Sequence, residues 1–159
     1  DALPIYRVVA VRHSPEKPTA TDEVYGYDGL HDAVAGARYV ALACPLTDET
    51  SGLVDAAVLE TIHPESVLVN VARGPVVDTA ALVEALQRNR LGAAALDVTD
   101  PEPLPNDHPL WDFENVLLTP HNAGHTPEYY ERLADIVAAN VRRAEETGAW
   151  DGLRNQVEW

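Results

Sequence analysis

The chain alternates between short, continuously apolar runs and longer segments in which apolar residues recur every three or four positions. The runs are RVVAVR (7–12), RYVALAC (38–44), VLVNVA (67–72), GAAALDV (92–98) and NVLLTP (115–120). Each is bounded by Gly, Pro or a polar cluster and has the length of a buried strand, so each predicts one. Between them GLHDAVAGA (29–37), DAAVLETI (55–62) and DTAALVEALQRNR (78–90) predict helices, and TPEYYERLADIVAANVRRAEETG (126–148) predicts a long amphipathic one. Asp78 is placed to N-cap a helix whose apolar stripe is Leu82, Ala85 and Leu86, while Thr126 and Pro127 are placed as cap and first residue of the last helix. Residues 13–27 and the CPLTDETSG stretch are expected to be loops.

Continuously apolar strands separated by helices are the pattern of a parallel sheet covered on both faces. The expected fold class is therefore α/β, a doubly wound, Rossmann-like parallel sheet. Ligands of such sheets bind beyond the carboxyl ends of the strands, which makes the residues after each run the candidates. The first run delivers Arg12, His13 and Ser14, the second Cys44, Pro45 and Thr47, and the third Ala72, Arg73 and Gly74. The fourth delivers Asp97 and then Glu102, and the fifth His121 and Gly124. A fixed guanidinium can hold a carboxylate in a two-pronged fork. A histidine can exchange a proton with a hydroxyl or carbonyl oxygen while a carboxylate keeps it protonated and oriented. No nucleophile stands beside a base at these strand ends, so the set suits proton-coupled hydride transfer.

Composition narrows the partners. With 159 residues, 46% of them hydrophobic, the chain can build one compact core. Its formal charge of −15, from 26 acidic and 11 basic residues, would repel nucleic acid. Lys17 is the lone lysine, and an acidic surface that keeps arginine over lysine points to a halophilic source, where salt screens self-repulsion. No run approaches the roughly 18 apolar residues of a membrane span. One cysteine, Cys44, excludes an internal disulfide and fits a reducing cytoplasm. His121 and His125 are four apart, but Gly124 and Pro127 set them in a loop without further ligands, so no metal is expected. His108 and Trp111 are expected to anchor the loop that carries Glu102, and Tyr129 and Tyr130 to pack their helix. Taken singly, each of these residues is more often a solvated loop residue; their joint order at successive strand ends carries the functional reading.

Three stretches, PLTDETSGLVDAAVLETIHPESVLVNVARGPVVDTAALVEAL, ALDVTDPEPLPNDHPLW and NVLLTPHNAGHT, together resemble the D-2-hydroxyacid dehydrogenases, and the likeness extends over about residues 6–145. The resemblance implies that Arg73 clamps the substrate carboxylate, that His121 is the acid/base and that Glu102 is its acidic partner. It implies that Asp97 contacts the nicotinamide carboxamide and that Cys44, Pro45, Thr47, Ala72 and Gly124 line the cofactor. A glutamate at 102 argues against the formate dehydrogenase branch, which carries an amide there. Where NAD-preferring relatives have an aspartate, this chain has Arg12, followed by His13 and Ser14. NADP(H) is therefore the favoured cofactor, with NAD(H) as the alternative. No GxGxxG occurs in the 159 residues. Residues 1–125 are thus expected to form a partial dinucleotide-binding domain, truncated at its N-terminal side, with 126–159 returning toward a substrate domain. The expected whole is a cytoplasmic, homodimeric oxidoreductase acting on a 2-oxo or D-2-hydroxy acid, nearly inactive as this piece alone. The alternative is a nucleotide-sensing, corepressor-like binding protein on the same fold, which would retain the same triad; the absence of an extra interaction tail favours the enzyme.

Overall fold

The structure is a computed structural model that describes residues 6–156; the ends of the two expected domains, 1–5 and 157–159, lie outside the described residues. The chain divides into two compact units, Asp1–His121 and Asn122–Trp159.

In the first unit β1 (Val9–Val11) pairs in parallel with β2 (Glu23–Tyr25) as a small sheet. A turn of 3-10 helix over Tyr27–Gly29 leads into α1 (Leu30–Val34). Then β3 (Tyr39–Leu42), α2 (Ala56–Thr61), β4 (Val67–Asn70), α3 (Thr79–Gln87), β5 (Ala93–Leu96) and β6 (Val116–Leu118) follow. The last four strands form one all-parallel sheet in chain order, with Tyr39 opposite Val67, Val67 opposite Ala93 and Ala94 opposite Val116. Asp55 and Asp78 start α2 and α3 by accepting hydrogen bonds from Val58 N–H at 2.9 Å and Ala81 N–H at 3.0 Å, as expected for Asp78. Leu82, Ala85 and Leu86 then face inward and join Val40, Leu42, Leu68, Ala94 and Leu96 of the strands and Val58 and Leu59 of α2 in one core. Each large aliphatic buried this way contributes about 1.5–3 kcal/mol.

The α/β class and the parallel pairing are as the sequence predicts, and three details differ. The stretch 13–27, expected to be a loop, contains β2, whose three residues are too few to show a period. The faces of the larger sheet are unequal. Alternate residues of β3, β4 and β5 are buried, whereas Tyr39 and Leu117 on the strands and Val71 just past β4 stay 58%, 61% and 44% exposed.

The third difference lies in the second unit, whose long helix α4 covers Tyr129–Thr147 and begins later than expected. Thr126 does not cap it by its side chain; its carbonyl accepts from Tyr129 N–H at 3.0 Å, closing a turn over Pro127 ahead of the helix. α4 stops at Gly148, whose φ of 69° is left-handed and whose N–H donates to Ala144 O at 2.8 Å. Asn140 then brackets the tail, accepting from Arg154 N–H at 2.8 Å and donating to Arg154 O at 3.1 Å. Tyr129 and Tyr130 meet edge to face at 5.1 Å but are 43% and 72% exposed, so they pack on each other more than on a core. Among the described residues no helix is long and apolar enough to cross a membrane.

Candidate active site

β4, the strand formed by the third apolar run, ends on Asn70, which is buried. Its Oδ1 accepts from Ala72 N–H at 3.0 Å and its Nδ2 donates to Arg73 O at 3.0 Å, so one side chain sets the backbone that presents the guanidinium. Arg73 itself is extended and exposed, and its Nη1 donates to Ala72 O at 2.6 Å. Among the described residues no carboxylate pairs with it, although the chain is strongly acidic. Gly74 follows because no other residue fits: a Cβ there would stand 1.9 Å from Thr99 O. The loop after β4 thus lies directly against the loop after β5, and Thr79 Oγ1 adds a bond to Asp100 O at 2.9 Å.

Asp97, the first residue past β5, is buried; its N–H donates to Asn70 O at 3.0 Å and its Oδ1 accepts from Thr119 Oγ1 at 2.6 Å. Glu102 stands on the Pro-rich loop beyond. Leu104 and Leu110 peg that loop into the core, His108 Nδ1 accepts from Leu110 N–H at 3.3 Å, and Trp111 Nε1 donates to Pro105 O at 2.8 Å. His108 and Trp111 therefore anchor the loop as the sequence predicts. From β6 the chain turns sharply: His121 N–H donates to Thr119 O at 3.0 Å, and His121 has φ 50°, a left-handed conformation uncommon outside glycine. His121 Nδ1 lies 2.7 Å from Glu102 Oε1, with the side chains 47% and 41% exposed. A carboxylate oxygen only accepts, so Nδ1 carries the hydrogen and Nε2 remains for proton exchange.

The predicted cofactor residues fall into separate groups. Arg12 follows β1, half-buried, its N–H donating to Tyr25 O at 3.0 Å, and no carboxylate among the described residues pairs with its side chain. His13 Nδ1 lies 3.0 Å from Glu49 Oε2, and its ring centroid is 6.4 Å from that of Tyr27; Ser14 O accepts from Lys17 N–H at 3.3 Å. Burial pushes the half-buried Cys44 thiol up from its ordinary range, so it is not activated. Burial also raises the Tyr27 phenol, helped by repulsion from Cys44 where that thiol ionises and from the Glu49 carboxylate. Thr50 shapes the Pro45–Thr47 turn: its Oγ1 donates to Pro45 O at 2.7 Å and accepts from Thr47 N–H at 2.8 Å. Ala72 is buried beside Arg73. Gly124 lies in the second unit, where it lines a hollow with Thr126, Tyr129 and Asn155.

Glu102 and His121 are thus in contact, and Arg73 stands on the adjoining loop. Sequence reasoning missed Asn70, Thr50 and Thr119, which hold these loops. Asn70 left a signal, as the only polar residue inside VLVNVA.

The NAD-binding domain of the D-isomer specific 2-hydroxyacid dehydrogenases matches residues 5–123. A glyoxylate reductase of Thermofilum pendens is 47% identical over 102 residues, 64% of this chain and 30% of that protein. The glyoxylate reductase of Aeropyrum pernix is 39% identical over 133 residues, 82% of this chain and 40% of that one. Among solved structures, a D-isomer specific 2-hydroxyacid dehydrogenase of Xanthobacter autotrophicus Py2, in complex with NADPH and MES, superposes with a TM-score of 0.82 at 36% identity, covering 96% of this chain and 61% of that one. The chain spans less than half the length of these two curated relatives.

Proposed function

The chain belongs to the D-isomer specific 2-hydroxyacid dehydrogenases through their NAD-binding domain, and on that premise we propose that it supplies the catalytic and cofactor-facing half of a reductase for small 2-oxo acids. The observation that carries this reading is the 2.7 Å contact between His121 Nδ1 and Glu102 Oε1, made by two different strand-end loops beside an arginine with no carboxylate partner among the described residues.

The dinucleotide, when bound, supplies hydride to the carbonyl carbon. Every other part of the chemistry falls to side chains. Arg73 forks the substrate carboxylate. His121 gives its Nε2 proton to the carbonyl oxygen in the reducing direction, and Glu102 fixes the ring through Nδ1–H. The residues fit the cofactor at its two ends. Arg12, half-buried without a carboxylate partner among the described residues, would meet a ribose 2′-phosphate with His13 and Ser14, which favours NADP(H) over NAD(H). Asp97 would receive the nicotinamide carboxamide, and Cys44, Pro45, Thr47, Ala72 and Gly124 would line the path. A pyrophosphate-binding GxGxxG is not among the 159 residues.

In the classic strand order 3-2-1-4-5-6, β1 and β2 would occupy the second and third places and β3 onward the fourth and later ones, leaving the first between them. Residues 1–125 are read in this way as a partial dinucleotide domain and 126–159 as the return to a substrate domain. The whole enzyme is read as a cytoplasmic homodimer of a halophile.

The test is oxidation of NADPH and of NADH by the purified full-length protein in high salt with a panel of 2-oxo acids, glyoxylate and hydroxypyruvate included. Turnover with at least one acid, faster with NADPH, is expected. No turnover above background with any acid would overturn the reading and leave the nucleotide-sensing alternative.

A further inference from the structure

We propose that Thr119 is a positioning residue that ties the buried carboxylate of Asp97 to the backbone presenting His121, so that the cofactor side and the proton-transfer side of the site keep one registry. The inference rests on His121 being the acid/base group.

Thr119 is held twice by β5 and its extension. Its N–H donates to Leu96 O at 3.0 Å as the last rung of the ladder between β5 and β6. Its hydroxyl donates to Asp97 Oδ1 at 2.6 Å, one residue further along the same neighbour. Asp97 in turn continues the ladder through its N–H to Asn70 O at 3.0 Å, the residue that sets Arg73. Beyond Thr119 only Pro120, with its fixed φ, intervenes before His121 N–H folds back onto Thr119 O at 3.0 Å.

Something must hold His121 in its left-handed conformation, φ 50°, because a residue with a Cβ keeps such a backbone only where its surroundings over-determine it. The Glu102 contact alone is poorly suited to that work. Its two side chains are 47% and 41% exposed, and exposed pairs are weak and screened by salt. The Thr119–Asp97 bond is short and ends on a buried carboxyl group, away from competing water, which makes it the stronger restraint. It acts on the backbone of the turn, where orientation of the ring is decided.

The experiment compares Thr119→Val, which keeps the shape and removes the hydroxyl, with Thr119→Ser, Asp97→Asn and the double variant, in the full-length protein with NADPH and the fastest 2-oxo acid. His121→Gln serves as the reference. Thr119→Val is expected to lower kcat roughly ten- to thirty-fold, the range for partners that orient a reacting group. KM for the acid should stay nearly unchanged, because Arg73 still clamps it, and the pH profile of kcat should move. Thr119→Ser should recover most of the loss. Asp97→Asn, which also loses its own contact on the cofactor side, should cost clearly less in the Thr119→Val background than in the parent, the mark of a coupled pair. If Thr119→Val fails to fold, Thr119→Ala against Thr119→Ser carries the same contrast, with melting temperature recorded for each. An inactive His121→Gln beside an unaltered Thr119→Val, or additive losses from the two sites, would overturn this inference and leave the acid/base reading standing. An active His121→Gln would overturn the acid/base reading, and this inference with it.

Discussion

Where β4, β5 and β6 end, the loops are tied to one another by short-range structure. Gly74 sits against Thr99, Thr79 bonds Asp100, Asn70 brackets Ala72 and Arg73, and Thr119 bonds Asp97. Beyond its own short backbone ladder, the β1–β2 region is held differently, by side chains in water: Arg7 pairs with Glu23, and His13 meets Glu49 with both side chains more than half exposed. Glu23 is held below the usual carboxylate range by its bonds from Arg7 and Tyr25, yet its side chain is still open to water and the pair adds little to stability. The contrast follows the two tasks proposed for the regions. Clamping a carboxylate and moving a proton need fixed distances, where an error of an ångström costs heavily. Attracting a phosphate needs only positive charge nearby, and Coulomb attraction tolerates movement.

The largest test of that contrast is steric. Gly74→Ala would place a methyl 1.9 Å from the Thr99 carbonyl oxygen and must push the two loops apart, so a loss of about 3 kcal/mol is expected. Gly36→Ala, with no atom within 4 Å of its Cβ, should leave the melting temperature unchanged. Equal melting curves for the two variants would mean that the loops after β4 and β5 are not held in fixed contact.

Next in size is Arg73→Lys, which keeps the charge and loses the fork. A fall in kcat/KM of about thirty-fold, near 2 kcal/mol, is expected from steady-state kinetics with a 2-oxo acid, with the fold intact by circular dichroism. Kinetics matching the parent would mean that the guanidinium is not the clamp. The smallest expected change is in the loose region: Arg12→Asp should lower the preference for NADPH over NADH by about ten-fold, near 1.4 kcal/mol, without altering stability. An unchanged cofactor ratio would remove Arg12 from the phosphate reading.

The same contrast governs what could be read from the sequence. VLVNVA and its companions announce strands because a buried parallel strand needs apolar residues on both sides, and Asp78 announces a helix start because its carboxylate meets an orphan N–H. Glu102 and His121 were legible because each follows such a run at the edge where ligands bind. The role of Gly74 was not, since nothing local demands a glycine there; the demand comes from Thr99, 25 residues on. Thr119 was hidden for the same reason, its partner lying on a neighbouring strand. β2 escaped because Glu23–Tyr25 is short and set among polar residues, and its pairing with β1 is tertiary. The half-open second face was also invisible, because an apolar run states that burial is favourable and not what will cover it.

That uncovered face has a practical consequence for anyone handling the chain in solution. Tyr39, Val71 and Leu117 present apolar surface, and β3 offers a backbone edge paired only to β4 among the described strands. Such an edge is a template for sticking to a second molecule. In dilute buffer the charge of −15 keeps molecules apart, but molar salt shortens that repulsion to a few ångströms. Salt should therefore relax the strain of crowded carboxylates within each molecule while removing the barrier to turbidity between molecules, and the two effects are separable by following ellipticity and light scattering in one titration.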